Sequence, residues 1–152
     1  MIRAVLDTNV LISAILSPKG LAAQILRHER DDKIELAFSP ETSREAFRVL
    51  RSSKIQTLLK RRDISLSEVE SFLKSLITAS ILTRGGIQVD AIEDDPSDNM
   101  FLACALEAEA DFIVSDDSHL NKLKSFHGIQ IVDAFVFMKV MERLGQTAPE
   151  SE

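Results

Sequence analysis

The chain has 152 residues, of which 45% are hydrophobic and 28% charged, and its formal net charge is −6. That length suits one domain with a core of its own, and the balance is that of a globular protein. No apolar run approaches the roughly 18 residues of a membrane span, the apolar stretch before Asp7 is too short for a signal peptide, and the single cysteine, Cys104, excludes an internal disulfide or a multi-cysteine zinc site.

Ile2–Leu6 is an aliphatic run of strand length, closed by Asp7. Asp7 or Thr8 caps a helix through Leu16, which Ser17-Pro18-Lys19-Gly20 breaks, and Leu21–Glu29 resumes as helix. Ile34–Phe38 is a second strand. Ser39 caps the next helix, with Pro40 at its first position, where the missing amide has no partner to lose. Phe47 and Leu50 lie on that helix's apolar side. Ile55–Lys60 has the length of a short helical turn. Ser65-Leu66-Ser67-Glu68 has the capping-box pattern and opens a helix through about Ala79. Ile81–Thr83 and Ile87–Val89 are brief extended runs around a Gly85-Gly86 turn. Asp95-Pro96-Ser97-Asp98 starts a helix over Met100–Glu109, apolar on most sides and therefore buried. Phe112–Val114 is a strand, Ser118–Lys124 a short helix and Ile129–Val132 the last strand. Asp133 or Ala134 begins a helix to about Leu144, and Gly145–Glu152 reads as a polar tail. Short apolar strands alternating with helices predict one α/β domain over 1–144, built on a mainly parallel sheet.

Four acids stand where such a fold can gather them. In parallel sheets, ligands bind beyond the carboxyl ends of the strands. Asp7 follows the first strand and Asp117 follows Phe112–Val114. Asp98 lies in the first turn of the helix that feeds that strand, and Glu45 in the second turn of the helix after Ile34–Phe38. One topology thus sets all four on one rim. Each also has a simpler local role: Asp7 and Asp117 as helix caps, Asp98 in a first turn capped by Asp95, Glu45 paired with Arg48. Capping gives no reason for four acids to share a rim, however. Two carboxylates about 4 Å apart repel by on the order of 4 kcal/mol at an effective dielectric near 20. A shared rim therefore asks for a divalent cation, and phosphoryl transfer is the chemistry that most often uses one.

The charge is unevenly spread. Arg44, Arg48, Arg51, Lys54, Lys60, Arg61 and Arg62 share residues 44–62 with one acid, while Asp90, Glu93, Asp94, Asp95 and Asp98 crowd residues 90–98. The pairing suits a metal site beside a phosphate-tracking edge, and equally a solvated helix face. Without Trp or Tyr, base stacking falls to Phe or Arg, so recognition by shape is expected. His28, His119 and His127 have no metal-ligand spacing and read as surface or helix-end residues. Ser13, Ser39 and Ser115 lack a His-plus-acid partner set, and Cys104 reads as core.

Taken together, these segments resemble a known family. Val5-Leu6-Asp7-Thr8-Asn9-Val10-Leu11-Ile12-Ser13-Ala14 resembles the first motif of PIN domains, and Glu45-Ala46-Phe47-Arg48-Val49-Leu50 the second. Asp95-Pro96-Ser97-Asp98-Asn99-Met100-Phe101-Leu102 resembles the third, and Ala110 through Leu120 the fourth. The likeness runs in order from residue 2 to about 137 and is nearest the toxin-like (VapC-like) branch of prokaryotic toxin–antitoxin systems. It implies a three-layer α/β/α sandwich and an Mg²⁺- or Mn²⁺-dependent endoribonuclease, a hydrolase of phosphodiester bonds in single-stranded or structured RNA; a cytoplasmic setting is the default expectation from the N-terminal residues and the cysteine content. Asp7, Glu45, Asp98 and Asp117 would be catalytic, with Asp7, Asp98 and Asp117 as metal ligands and Glu45 holding a water or a second ion. Thr8, Asn9 and Ser115 would orient ligands or bind phosphate, and Arg48, Arg51 and Lys54 would guide the strand. A small antitoxin protein is the implied partner, and the helices of residues 55–79 offer a surface for a homodimer. Two positions stay open. Glu41 competes with Glu45, and the family's Thr-Gly-Asp or Ser-Gly-Asp is here Ser115-Asp116-Asp117, so Asp116 is either an additional ligand or a group that crowds the metal. If it crowds the metal, the chain would be a catalytically weak or inactive module that binds RNA or a protein partner. Outside the family, a phosphatase or phosphoacceptor protein is the remaining reading.

Overall fold

The computed structural model of the chain describes residues 1–92 and 96–147. Its strands are β1 (Ile2–Leu6), β2 (Ile34–Phe38), β3 (Ile81–Leu82), β4 (Phe112–Val114), β5 (Ser125–Phe126) and β6 (Ile129–Val132), which form one six-stranded sheet in the order β3-β2-β1-β4-β6-β5. Every neighbouring pair is parallel except β5 with β6. The two-residue period of the strands divides the apolar residues between two cores. Ala4, Leu6, Leu36, Phe38, Phe112 and Val114 join one, and Val5, Ala37 and Ile113 join the other. Helices α1 (Thr8–Leu16), α2 (Leu21–Arg30), α3 (Pro40–Leu50), α4 (Ser53–Arg61), α5 (Leu66–Thr78) and α8 (Ala134–Thr147) supply the first core. The second is closed by α6 (Asn99–Glu107) and α7 (Ser118–Leu123), through Phe101, Leu102, Cys104 and Leu120. Helices on both faces of a mainly parallel sheet make an α/β fold of three layers.

The strand order sets the place where a site can form. β1 pairs with β2 on one side and β4 on the other, with Ala4 opposite Phe112 and Leu6 opposite Val114. The chain leaves β1 in one direction and β4 in the other, which opens a crevice at their carboxyl ends. Pairing continues one residue past the strands, where the Asp7 amide donates to the Val114 carbonyl at 3.0 Å.

Several elements differ from the sequence expectation, each for a local reason. α4 is a full helix over Ser53–Arg61, because the Ser52 hydroxyl caps it by accepting the Ile55 amide at 3.4 Å. The complete capping box forms between Ser39 and Thr42, whereas Ser65 serves α5 by accepting the Glu68 amide. Ile87–Val89 forms no strand; the edge beside β2 is taken by Ile81–Leu82 alone. The two-residue strand β5, too short to show alternation, turns back into β6 through His127 and Gly128, whose φ angles are 50° and 82°. α8 runs through Gly145 to Thr147. A glycine in an exposed helix costs about 1 kcal/mol relative to alanine, which does not end it. Asp95 as a helix cap, its neighbours Glu93 and Asp94, and the tail 148–152 lie outside the described residues. Among those described, no single helix is long and apolar enough to cross a membrane.

Candidate metal centre

Asp7 is the floor of the crevice. Its backbone is extended, as an N-cap requires, and Oδ1 accepts the Val10 amide of α1 at 2.9 Å. Oδ2 accepts a hydrogen bond from the Ser115 hydroxyl. The residue is only 4% exposed. Burial raises its pKa above the ordinary carboxylate value, the hydrogen bonds from Ser115 and Val10 oppose the rise, and the negative charges of Asp116 and Asp117 add to it.

Ser115 ties this floor to the next acid. It is fully buried, and while its hydroxyl donates to Asp7 the same oxygen accepts the Asp117 amide at 2.9 Å. Asn121 holds the turn from below by donating to the Ser115 carbonyl at 2.6 Å and the Asp117 carbonyl at 2.9 Å. Asp117 caps α7: its Oδ1 accepts the amides of His119 at 2.7 Å and Leu120 at 3.3 Å. Asp98 arrives from another segment. Pro96–Asp98 form one 3₁₀ turn that runs into α6, and Asp98 makes no side-chain cap to that helix. Asn99 fixes the turn by accepting the Ala91 and Ile92 amides at 3.1 and 2.9 Å and donating to the Ile92 carbonyl at 3.1 Å. Asp98 is thereby held at 8% exposure. Glu45 stands on α3, where Arg48 one turn later donates to both of its oxygens, at 2.8 and 2.7 Å.

These devices bring the four acids into one cleft of about 250 Å³, whose lining also includes Thr8, Asn9 and Arg48. Two of these acids, Asp98 and Asp117, also form a donor group with His119, which stands beside the cleft lining, each with a ligand atom within 4.8 Å of the others. Asp7 shares the cleft but is not part of that trio. His119 was missed because metal-ligand spacing is sought along one helix or between paired motifs. Here it stands two residues after a capping aspartate, and the amide it gives to Asp117 draws its ring to 3.6 Å from the same oxygen.

The donor set fits a divalent cation. Carboxylate oxygens suit hard dications and imidazole suits transition-metal ones. The Thr8 hydroxyl is buried in the cleft lining and has no hydrogen-bond partner among the described residues. A buried polar atom left in that state costs free energy unless a ligand or water satisfies it.

The other candidates fall at various distances from this centre. Asp116 is exposed and does not line the cleft, although its charge reaches Asp7. Glu41 lies one turn before Glu45 and pairs with Arg44 at 3.9 Å, outside the cleft. Asn9 is exposed on the rim. Arg51 is paired with Glu70 of α5, and Lys54 is exposed on α4. A larger hollow of about 1350 Å³ sits among Asp111, His127 and the start of β1, and contains none of the four acids. Cys104 is buried, and burial pushes its thiol up to about 11, as expected of a core cysteine and not of a nucleophile.

Comparison with known proteins gives a match to the family described as PIN domain over residues 3–119, a stretch that contains all four acids and ends at His119. An uncharacterized protein of Methanocaldococcus jannaschii, MJ1680, is 28% identical over 123 residues, covering 81% of this chain and 76% of that protein.

Proposed function

The chain belongs to the PIN-domain family, a nuclease superfamily, and from that premise we propose that it is a divalent-metal-dependent endoribonuclease acting on single-stranded RNA. The observation that carries this reading is the convergence of Asp7, Glu45, Asp98 and Asp117 on one cleft at the carboxyl ends of β1 and β4. A bound divalent cation would supply charge neutralisation at a phosphate oxygen and a water of lowered pKa. Asp98 and Asp117 would hold it, and Asp7, fixed by Ser115 and Val10, would add negative charge beneath it. Arg48 stands on the rim with its guanidinium on Glu45. A substrate phosphate competing for that guanidinium would free Glu45 to accept a proton from the attacking water.

A polynucleotide also needs a path to the cleft. A groove of about 970 Å³ runs between α3 and α5, bordered by Arg44, Arg48, Arg51 and Lys74, and Arg48 is common to groove and cleft. Cationic side chains along one groove suit a phosphate backbone, and a strand lying there would enter the cleft past Arg48. The toxin role, an antitoxin partner, self-association and a cytoplasmic setting belong to this proposal, and the first three rest on the likeness to toxin-like members of the family. A catalytically silent binding module is the second reading, and the ion pair that neutralises Glu45 favours it.

The test is cleavage of single-stranded RNA by the full chain with Mg²⁺ or Mn²⁺, with EDTA, and by Asp98→Asn. The expected result is metal-dependent cleavage that falls by about 100-fold or more in the variant, because several kcal/mol of charge stabilisation depends on the ion. Growth arrest on induction of the wild type, absent with Asp98→Asn, is the matching expectation for a toxin. Equal cleavage with EDTA and in the variant would remove the metal-carboxylate reading, and metal binding without cleavage would leave the silent module.

A further inference from the structure

We propose that His119 is a nitrogen ligand of the bound cation and that it makes the centre select transition-metal dications over Mg²⁺; the inference rests on the metal-centre reading above. Mg²⁺ takes near-octahedral oxygen donors and sheds its waters reluctantly. Imidazole is a softer donor that binds first-row transition metals far better. An all-carboxylate cleft would carry much less of that bias. The tightest donor group here is mixed, however, with two carboxylates, Asp98 and Asp117, and one imidazole within 4.8 Å of one another.

The placement of His119 is built into the backbone. Its own amide donates to Asp117 Oδ1 at 2.7 Å, so the two residues are locked in one capping turn. That oxygen accepts the Leu120 amide as well, at 3.3 Å. Among the described residues, no amide is directed at the second oxygen of Asp117, which leaves it for an ion. Asp98 comes from a separate segment, the 3₁₀ turn next to Asn99, which is tied to Ala91 and Ile92 independently of α7. Two separately fixed walls therefore bring oxygen and nitrogen donors to one point. The buried Thr8 hydroxyl, in the cleft that Asp98 and Asp117 line, has no partner among the described residues and is an independent sign that a polar ligand completes the site. His119 is partly exposed, so its ring is free to adjust to a cation. The competing role for His119 is that of a simple counter-ion to Asp117, at 3.6 Å. The two roles differ in one observable, because a ligand nitrogen has a large contact coupling to a bound paramagnetic ion and a counter-ion's nitrogen only a weak through-space one.

The experiment is pulsed electron paramagnetic resonance of Mn²⁺ bound to the full chain, with natural-abundance and ¹⁵N-histidine protein, for wild type and His119→Gln. Calorimetric titration of both proteins with Mn²⁺ and with Mg²⁺ accompanies it. In the wild type we expect one directly coordinated imidazole nitrogen. In His119→Gln we expect bound Mn²⁺ without that coupling, and a fall of about tenfold or more in the ratio of Mn²⁺ to Mg²⁺ affinity. The wild-type spectrum alone decides the matter if the variant does not fold. Oxygen-only coordination in a wild type that still cleaves RNA would overturn the role of His119 and leave the nuclease reading standing. Nitrogen coupling that persists in His119→Gln would assign the ligand to another histidine. No bound Mn²⁺ at all would overturn both readings.

Discussion

Asp7 shows how a buried carboxylate is kept in place before any cation arrives. It is the N-cap of α1, an acceptor from Ser115 and almost wholly out of water. The hydrogen bonds favour its charge, yet burial outweighs them and its pKa lies above the ordinary 3.8. A raised acid stabilises the fold fully below the unfolded value and loses that contribution as the pH rises through the folded one. At neutral pH, in EDTA, ionised Asp7 is therefore a cost to the fold. Asparagine caps a helix about as well as aspartate. We expect Asp7→Asn, melted in EDTA, to match or exceed the wild type at pH 7, with the difference closing as the pH falls through the raised folded value and below the unfolded carboxylate value of about 4. A variant clearly less stable at pH 7 would mean that the ionised carboxylate holds the fold together. Asp7 was legible in the sequence because a polar Asp-Thr-Asn directly behind an aliphatic strand is out of place in a core. Ser115 and Asn99 could be named but not assigned, since their value lies in hydrogen bonds to Asp7 and Ile92, which no local pattern reveals. The same holds for His119, whose partner Asp98 comes from a different turn.

Helices with strong caps and strands with clear alternation were read from the sequence nearly to their ends. Ser39-Pro40 opens α3, Asp133 accepts the Val136 amide at the start of α8, and β1 and β2 begin and end where their aliphatic runs do. Elements shorter than one pattern repeat, such as β5, escaped. So did the cap at Ser52, which made a full helix of a supposed turn. α3 carries two functions at once: Ala46 and Leu50 enter the core, while Glu45 and Arg48 face the cleft. Its cationic edge, with Lys74 from α5, forms the groove. If RNA lies there, Arg51→Ala together with Lys74→Ala should weaken binding for every sequence alike. The slope of log affinity against log salt should flatten by about 0.7 for each phosphate that is no longer neutralised. Arg51 is engaged with Glu70, so an unchanged slope would identify it as a brace between α3 and α5 only.

The net charge of −6 argues against a nucleic-acid partner only while charge is treated as uniform. In the fold, the acids of the cleft and the bases of the α3–α5 groove adjoin through Arg48, so the proposed cation site would lie directly beside the proposed phosphate path. What unites Asp7 with Asp117 is the position of β1 between β2 and β4, a strand order that element-by-element reading does not determine. The α/β/α fold class was expected through the likeness of four motifs to one family, and the match over residues 3–119 bears out that family. The strand order brings Asp7 and Asp117 together at one crevice, where we propose that a metal site forms. The most direct test of that site is a crystal structure of the full chain with Mn²⁺, with anomalous scattering recorded at the manganese edge. An anomalous peak is expected in the cleft, bound by Asp98 and Asp117. A well-ordered cleft without a peak at a concentration of Mn²⁺ that supports RNA cleavage would contradict it.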